Sequence, residues 1–206
     1  KITEDIPILP VDDLAVFPYM PPVPPFSPHH IALSGEWVAK AVDDAMINGE
    51  RALCVFRQLE NKEIEATAIE DLSPVGTLIH ILRYKKDDEN VLFLAHGRAR
   101  VRIEEILQTK PFIKARVQII EDESDDEAED DNVEMQALVR STLEIVQKIV
   151  KLSSRYQDEL AIIAENIDQP GRLADYIASI LDLRSEDKQV ILESISVQDR
   201  LNYLIV

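Results

Sequence analysis

Up to about residue 120 apolar side chains recur at alternate positions in short runs separated by turn residues; beyond about residue 133 they recur every three or four. The first pattern predicts strands at 6–9, 14–17, 52–57, 64–69, 77–84, 91–95, 99–106 and 112–120, with Asp87-Asp88-Glu89-Asn90 as a hairpin turn. One helix interrupts them. Ser34 is its expected cap, Glu36 suits its positive end, and Trp37, Val38, Ala41, Val42, Ala45 and Met46 form its apolar stripe. The second pattern predicts five helices. The first carries Met135, Leu138, Val139, Thr142, Leu143, Val146, Ile149 and Val150 on one face, and the second spans about 156–165. Asp168 is the expected cap of the third, with Pro170 in its first turn; Ser185 starts the fourth, and Ser196 with Asp199 starts the fifth. The expected fold class is α+β, a β-rich lobe over 1–120, an acidic linker over 121–132 and a helical bundle lobe over 133–206.

Charge sharpens the boundary between the lobes. The formal net charge is -17, and nine of the 39 acidic residues fall between Glu121 and Asp131. Like charges so crowded repel one another and keep a segment extended and solvated. A cation site is the sharper reading, although the run lacks the spaced Asp/Asn/Gly pattern of a calcium loop. The acidic balance disfavours nucleic acid and anionic membranes as partners. The single cysteine, Cys54, has no disulfide partner in the chain and fits a reducing, cytoplasmic compartment. No run approaches the ~20 apolar residues of a membrane span. The missing initiator Met and the apolar Leu204-Ile205-Val206 suggest a piece of a longer protein.

Catalytic patterns are not found. The five glycines open no phosphate loop, and there is no nucleophile elbow, no His-Glu-x-x-His and no cysteine pair for zinc. The expected catalytic, metal and cofactor residues are therefore none. His29 and His30 fall in a Pro-rich loop, where adjacent side chains of an extended segment point apart and suit a metal poorly.

Two features invite contact rather than chemistry. Arg98, Arg100 and Arg102 alternate with Ala99, Val101 and Ile103, which predicts a basic stripe along one strand face. Such a stripe is a solvated or salt-bridged face, a contact for acidic protein segments, or an RNA surface; no aromatic platform accompanies it for RNA. The run Phe17-Pro18-Tyr19-Met20-Pro21-Pro22-Val23-Pro24-Pro25-Phe26-Ser27-Pro28 cannot pair as a central strand, because proline offers no N–H. It reads as an extended surface arm that either packs over the sheet or presents its apolar side chains to a partner.

Ile6-Pro7-Ile8-Leu9-Pro10, Val16-Phe17-Pro18-Tyr19-Met20, Asp44-Ala45-Met46, Val75-Gly76-Thr77 and Gly97-Arg98-Ala99-Arg100 occur in one order, ahead of Pro170-Gly171-Arg172-Leu173-Ala174-Asp175 and Asp187-Lys188-Gln189. The ordered set resembles the N-terminal region of the ATP-dependent Lon protease family. The resemblance implies a PUA-like β lobe and a helical lobe that recognise and position unfolded, damaged or tagged protein substrates. It further implies a parent chain that assembles as a homohexamer and carries, elsewhere, an AAA+ ATPase using ATP and Mg and a Ser-Lys protease. Family members reach a Gly-Arg pair soon after the Phe-Pro segment; here a Pro-rich insertion intervenes and the pair reads Gly35-Glu36. The candidate substrate-binding residues are Tyr19, Met20, Pro21 and Phe26 on the arm and Glu36 and Lys40 on the helix, with Trp37 expected in the core. An RNA-binding PUA-like module and a stand-alone adaptor or scaffold are the alternative readings.

Overall fold

The computed structural model describes residues 3–11, 15–18, 29–56, 69–87, 90–122 and 133–205, without the side chains of 29, 30, 56 and 69. The chain is a mixed α/β protein that divides into two compact units, Lys1–Ile120 and Glu121–Val206. The expected acidic linker lies almost wholly outside the described residues.

The first unit contains strands β1 (Thr3–Val11), β2 (His29–Ser34), β3 (Arg51–Phe56), β4 (Val75–Lys86), β5 (Asn90–Gln108) and β6 (Lys114–Ile120), and helix α1 (Glu36–Ile47). The order in the sheet is β2-β5-β4-β3-β1-β6, and a further β5–β6 pairing joins its ends. Five strands therefore close on themselves, while β2 rides on the first half of β5 as a wing. Closure is possible because β5 is long. It pairs antiparallel with β2 through Asn90–Ala95 and with β6 from Arg100 to Gln108, so one strand serves two neighbours along one edge.

Alternation along the strands divides the apolar residues into two cores. Ile6, Ile8, Leu53, Val55, Leu78, Ala99, Val101, Ala115 and Val117 form one. Leu9, Val11, Ala52, Cys54, Ile79, Ile81, Val91, Phe93 and Ala95 face the other way and meet Trp37, Val38, Ala41, Val42 and Ala45 of α1. The helix sits there because β1 and β3 pair in parallel, and a parallel pair needs a crossover connection.

The second unit contains α2 (Val133–Leu152), α3 (Glu159–Glu165), α4 (Pro170–Ile180), α5 (Ser185–Glu193) and α6 (Val197–Ile205). Its most specific sequence motif is a packing device. The Arg200 side chain of α6 is fully buried between two carboxylates, Nη1 at 2.9 Å from Asp175 Oδ1 and Nη2 at 2.7 Å from Asp122 Oδ1. A Cβ on Gly171 would strike Asp122 Oδ2, so the glycine gives the acid room to reach the arginine. Asp187 accepts from Arg184 Nε at 2.8 Å and from the Tyr203 hydroxyl at 3.1 Å, and Lys188 donates to the Ser179 carbonyl.

Several expectations need correction. Of the expected strand 14–17, Leu14 lies outside the described residues and Ala15–Phe17 belongs to a buried segment outside the ladders. Residues 64–68 lie outside the described residues, and Ile69–Asp71 is a short 3-10 turn. The runs 91–95 and 99–106 are one strand, continued through a register shift at Arg98, which stands between the pairs Ile79 with Gly97 and Leu78 with Ala99. His29 and His30 belong to β2 rather than to a loop. Ser34 does not cap α1. Its hydroxyl donates to Asn90 Oδ1, and the N-cap is Gly35 at φ 114°, a conformation open to glycine and strained for other residues. Gln169, not Asp168, precedes α4, and α3 begins at Glu159 rather than near 156. The Asp199 N–H does donate to Ser196 Oγ at 3.2 Å at the start of α6, as the sequence predicts. The hairpin turn also closes, Asp87 N donating to Asn90 O at 2.8 Å.

Candidate polypeptide-binding surface

The Pro-rich arm has fixed roots. Ahead of it, Ala15–Pro18 lies across the α1 side of the sheet, where Thr77 Oγ donates to the Val16 carbonyl and the Phe17 side chain is fully buried. Gly97 of β5 makes the crossing possible, since a Cβ there would collide with the Phe17 carbonyl oxygen. Behind the arm, His29 pairs with Ala95, two residues along the same strand. Both roots thus fall on one short stretch of β5. Tyr19, Met20, Pro21 and Phe26 themselves lie outside the described residues.

Register defines the surface beside these roots. Residues directly opposed in a ladder share a face. Phe93 opposes Tyr84 and is buried against α1; its neighbours Leu92 and Leu94 therefore point to the opposite face with their partners Lys85 and Arg83, and β2 adds Ala32 opposite Leu92. Leu82 occupies the register shift between Ile81 and Arg83. Leu82, Tyr84 and Leu92 keep 39%, 41% and 44% of their surfaces exposed, so the wing carries apolar area that the fold leaves to solvent. Arg83 and Lys85 give its outer face a positive rim, and among the described residues β2 has no strand on its other side. An extended chain is offered backbone hydrogen bonds along such an edge and apolar contacts beside it.

Further along the outer face His96 opposes His80, whose Nε2 lies 3.4 Å from Glu50 Oε2. Burial, then the charges of Arg98 and His80, hold the His96 pKa below its ordinary value. Glu36 and Lys40 are both exposed on α1 and are paired at 2.7 Å, a hydrogen bond and charge contact that lower the Glu36 pKa. Trp37 is buried beside them. Glu36 and Lys40 are therefore available to a partner, and the structure does not join them to Leu82, Leu92 or Arg83. On the same helix Asp43 pairs with Lys86, whose ammonium lies 5.7 Å from the centre of the Tyr84 ring.

The arginine stripe is broken. Arg98 and Arg102 are exposed, but Arg100 is 3% exposed. Its register partner is Thr77, the residue held under Val16, so the segment that roots the arm also covers this part of the face. The wing leucines escaped the sequence reading. The available signal was Leu92-Phe93-Leu94, apolar on both faces of a strand that needs only one buried face. Cys54 is buried without a disulfide, and its thiol pKa is pushed up to about 12. Among the described residues no group of His, Cys, Asp and Glu is placed to hold a metal, and no helix is long and apolar enough to cross a membrane.

A closed sheet with an apolar wing, joined in sequence to a helical unit clasped by buried ion pairs, defines a mixed α/β class of protein in two units. Comparison with known proteins narrows that class. The family model of the ATP-dependent protease La (LON) substrate-binding domain matches residues 5–206. Lon protease of Roseiflexus castenholzii is 34% identical over 99% of this chain and 24% of its own length; that of Syntrophus aciditrophicus is 36% identical over 98% and 24%. The chain thus spans about a quarter of the length of these relatives. The N-terminal domain of Mycobacterium avium complex Lon protease shares the fold, with a TM-score of 0.71 at 20% identity over 98% of this chain and 96% of that one. The Lon N-terminal domain protein from Xanthomonas campestris does so at a TM-score of 0.58 and 16% identity, over 98% and 97%. The chain belongs to the Lon substrate-binding domain family.

Proposed function

We propose that this chain is the non-catalytic substrate-recognition part of a Lon-type ATP-dependent serine protease, capturing unfolded, damaged or tagged polypeptide on the wing of its first unit. The observation that carries the reading is the exposure of Leu82 and Leu92 beside the edge strand β2, where the Pro-rich arm has its roots. An unfolded client supplies what that surface can take up, apolar side chains and an unpaired backbone. ATP, Mg and the Ser-Lys chemistry belong to other parts of the parent chain. Assembly as a cytoplasmic homohexamer would multiply weak contacts by presenting several copies to one client. The PUA-like character of the β lobe and the all-α character of the second belong to the same reading.

The test is an NMR titration of the labelled chain with a permanently unfolded protein, with a structured RNA in parallel. Shifts are expected at 17–40 and 82–94 with the polypeptide. Leu82→Ser with Leu92→Ser should weaken binding about thirtyfold, from roughly 1 kcal/mol of lost apolar contact per leucine, and leave the fold intact. Tyr19, Met20 and Phe26 replaced together by Ser should weaken it further if the arm takes part. Unchanged binding in both variants would reject the wing, and shifts only with RNA near Arg98 and Arg102 would favour the RNA-binding alternative.

A further inference from the structure

The second unit carries its own concave surface. Along α2 the side chains of Met135, Val139 and Leu143 recur at every fourth position and line a groove of about 610 Å³, to which Pro170 also contributes. These three are only partly buried, whereas Thr142, Val146 and Val150 on the adjoining stripe are the residues α2 buries. The groove runs for about three helical turns, roughly 18 Å at 1.5 Å per residue. Its rim is acidic: Glu144, Glu165 and Asp168 stand against Arg140 alone. Arg140 Nε lies 3.3 Å from Glu144 Oε1, and Gln147 donates to Glu165 Oε1, so two of the carboxylates are held in place along the wall.

We infer that this groove docks an amphipathic helical segment of a client protein, with apolar residues at i, i+4 and i+7 flanked by Lys or Arg. The lining matches one apolar stripe in period and length, and Met135 tolerates variation in the side chain it meets. The rim selects the sign. Three carboxylates and one guanidinium favour a basic flank, and on a chain of net charge -17 an acidic helix, including a second copy of α2, meets repulsion. The inference rests on the proposed substrate-recognition role, and it names a second class of signal: the wing takes extended chain, the groove takes basic helix.

The test uses the full chain and a fluorescent 14-residue helix-forming peptide with Leu at i, i+4 and i+7 and Lys on the flanks. Controls are the same peptide with Glu for Lys, and one with a central proline. The Lys peptide is expected to bind, with shifts at Met135, Val139 and Leu143, and the other two at least about fivefold more weakly. Glu144→Lys with Asp168→Lys, both at exposed positions, should reverse the preference between Lys and Glu peptides. Val139→Ser should weaken both, with the fold checked by circular dichroism. Equal binding of the Lys and Glu peptides, no binding, or shifts confined to the wing would each overturn the groove. The wing test uses an unfolded protein and wing variants, so either reading can fail alone.

Discussion

The two units use their strongest sequence signals for opposite purposes. In the helical unit the most specific motif, Pro170-Gly171-Arg172-Leu173-Ala174-Asp175, is spent on packing: Gly171 makes room for Asp122, and Asp175 neutralises the buried Arg200. In the strand unit the surface proposed to take a partner has no motif. It consists of leucines exposed where alternation would place polar residues, beside an edge strand. Specificity of sequence here marks a structural constraint, because a buried ion pair accepts few substitutes. Contact surfaces tolerate many apolar side chains and leave a fainter trace.

The sharpest way to break this contrast is to remove one partner of the clasp. Asp175→Ala leaves Arg200 buried with half of its compensation, and the expected loss is about 3–5 kcal/mol. Replacing Arg200 and Asp175 together by Leu should cost less than the sum of the single changes, since neither fully buried charge is then left without the other, and Asp122, which also loses Arg200, is part-exposed. Two probes separate the units. Trp37 is the only tryptophan and lies in the strand unit, whereas among the described residues five of the six α-helices lie in the other, so ellipticity at 222 nm reports mainly on the helical unit. Denaturation of Asp175→Ala should shift the ellipticity transition and leave the Trp37 fluorescence transition in place. Equal shifts would mean that the units unfold as one and that the clasp supports both.

A second test works on the strand unit. Gly97→Ala puts a methyl group into the Phe17 carbonyl oxygen, and relief requires the Ala15–Pro18 segment to lift from the sheet. Overpacking of this kind costs about 1–3 kcal/mol. The loss should appear in the Trp37 transition, and it should be accompanied by weaker binding of unfolded protein, because the arm loses one of its roots. Loss of stability with binding unchanged would separate the arm from the binding surface.

The legible and illegible parts of the fold divide along the same line. Helix α2, the start of α6 at Ser196 and the buried stripe of α1 follow from period and capping chemistry, which act over a few residues. What was not legible depends on distant chain. β2 pairs with β5 some sixty residues away, and nothing local in a Pro-rich neighbourhood announces it. The Arg98, Arg100 and Arg102 stripe obeys alternation in sequence, yet Arg100 is buried because another segment crosses that face. Ser34 carries the right chemistry for a cap, but its hydroxyl donates instead to Asn90 across the ladder and Gly35 supplies the turn. Of the candidate site, Glu36, Lys40 and Trp37 lie where the apolar stripe places them, whereas the exposed wing emerges only when three strands are brought together.

The smallest expected effect distinguishes the units by pH. All four histidines, 29, 30, 80 and 96, belong to the strand unit. Burial, reinforced by the charges of Arg98 and His80, lowers the folded-state pKa of His96. As pH falls through the ordinary value near 6.5, the unfolded chain takes up its proton first, so the unfolded state binds more protons than the folded one. His96 therefore contributes no penalty above that value, and stability is lost from there downward until pH passes the lowered folded value. Wild-type chain should show a lower denaturation midpoint by Trp37 fluorescence at pH 5.5 than at pH 7.5, and His96→Gln should shrink that difference. The ellipticity transition should move less over the same interval, since the helical unit has no histidine to titrate. An unaltered pH difference in His96→Gln would mean that the effect does not arise at His96.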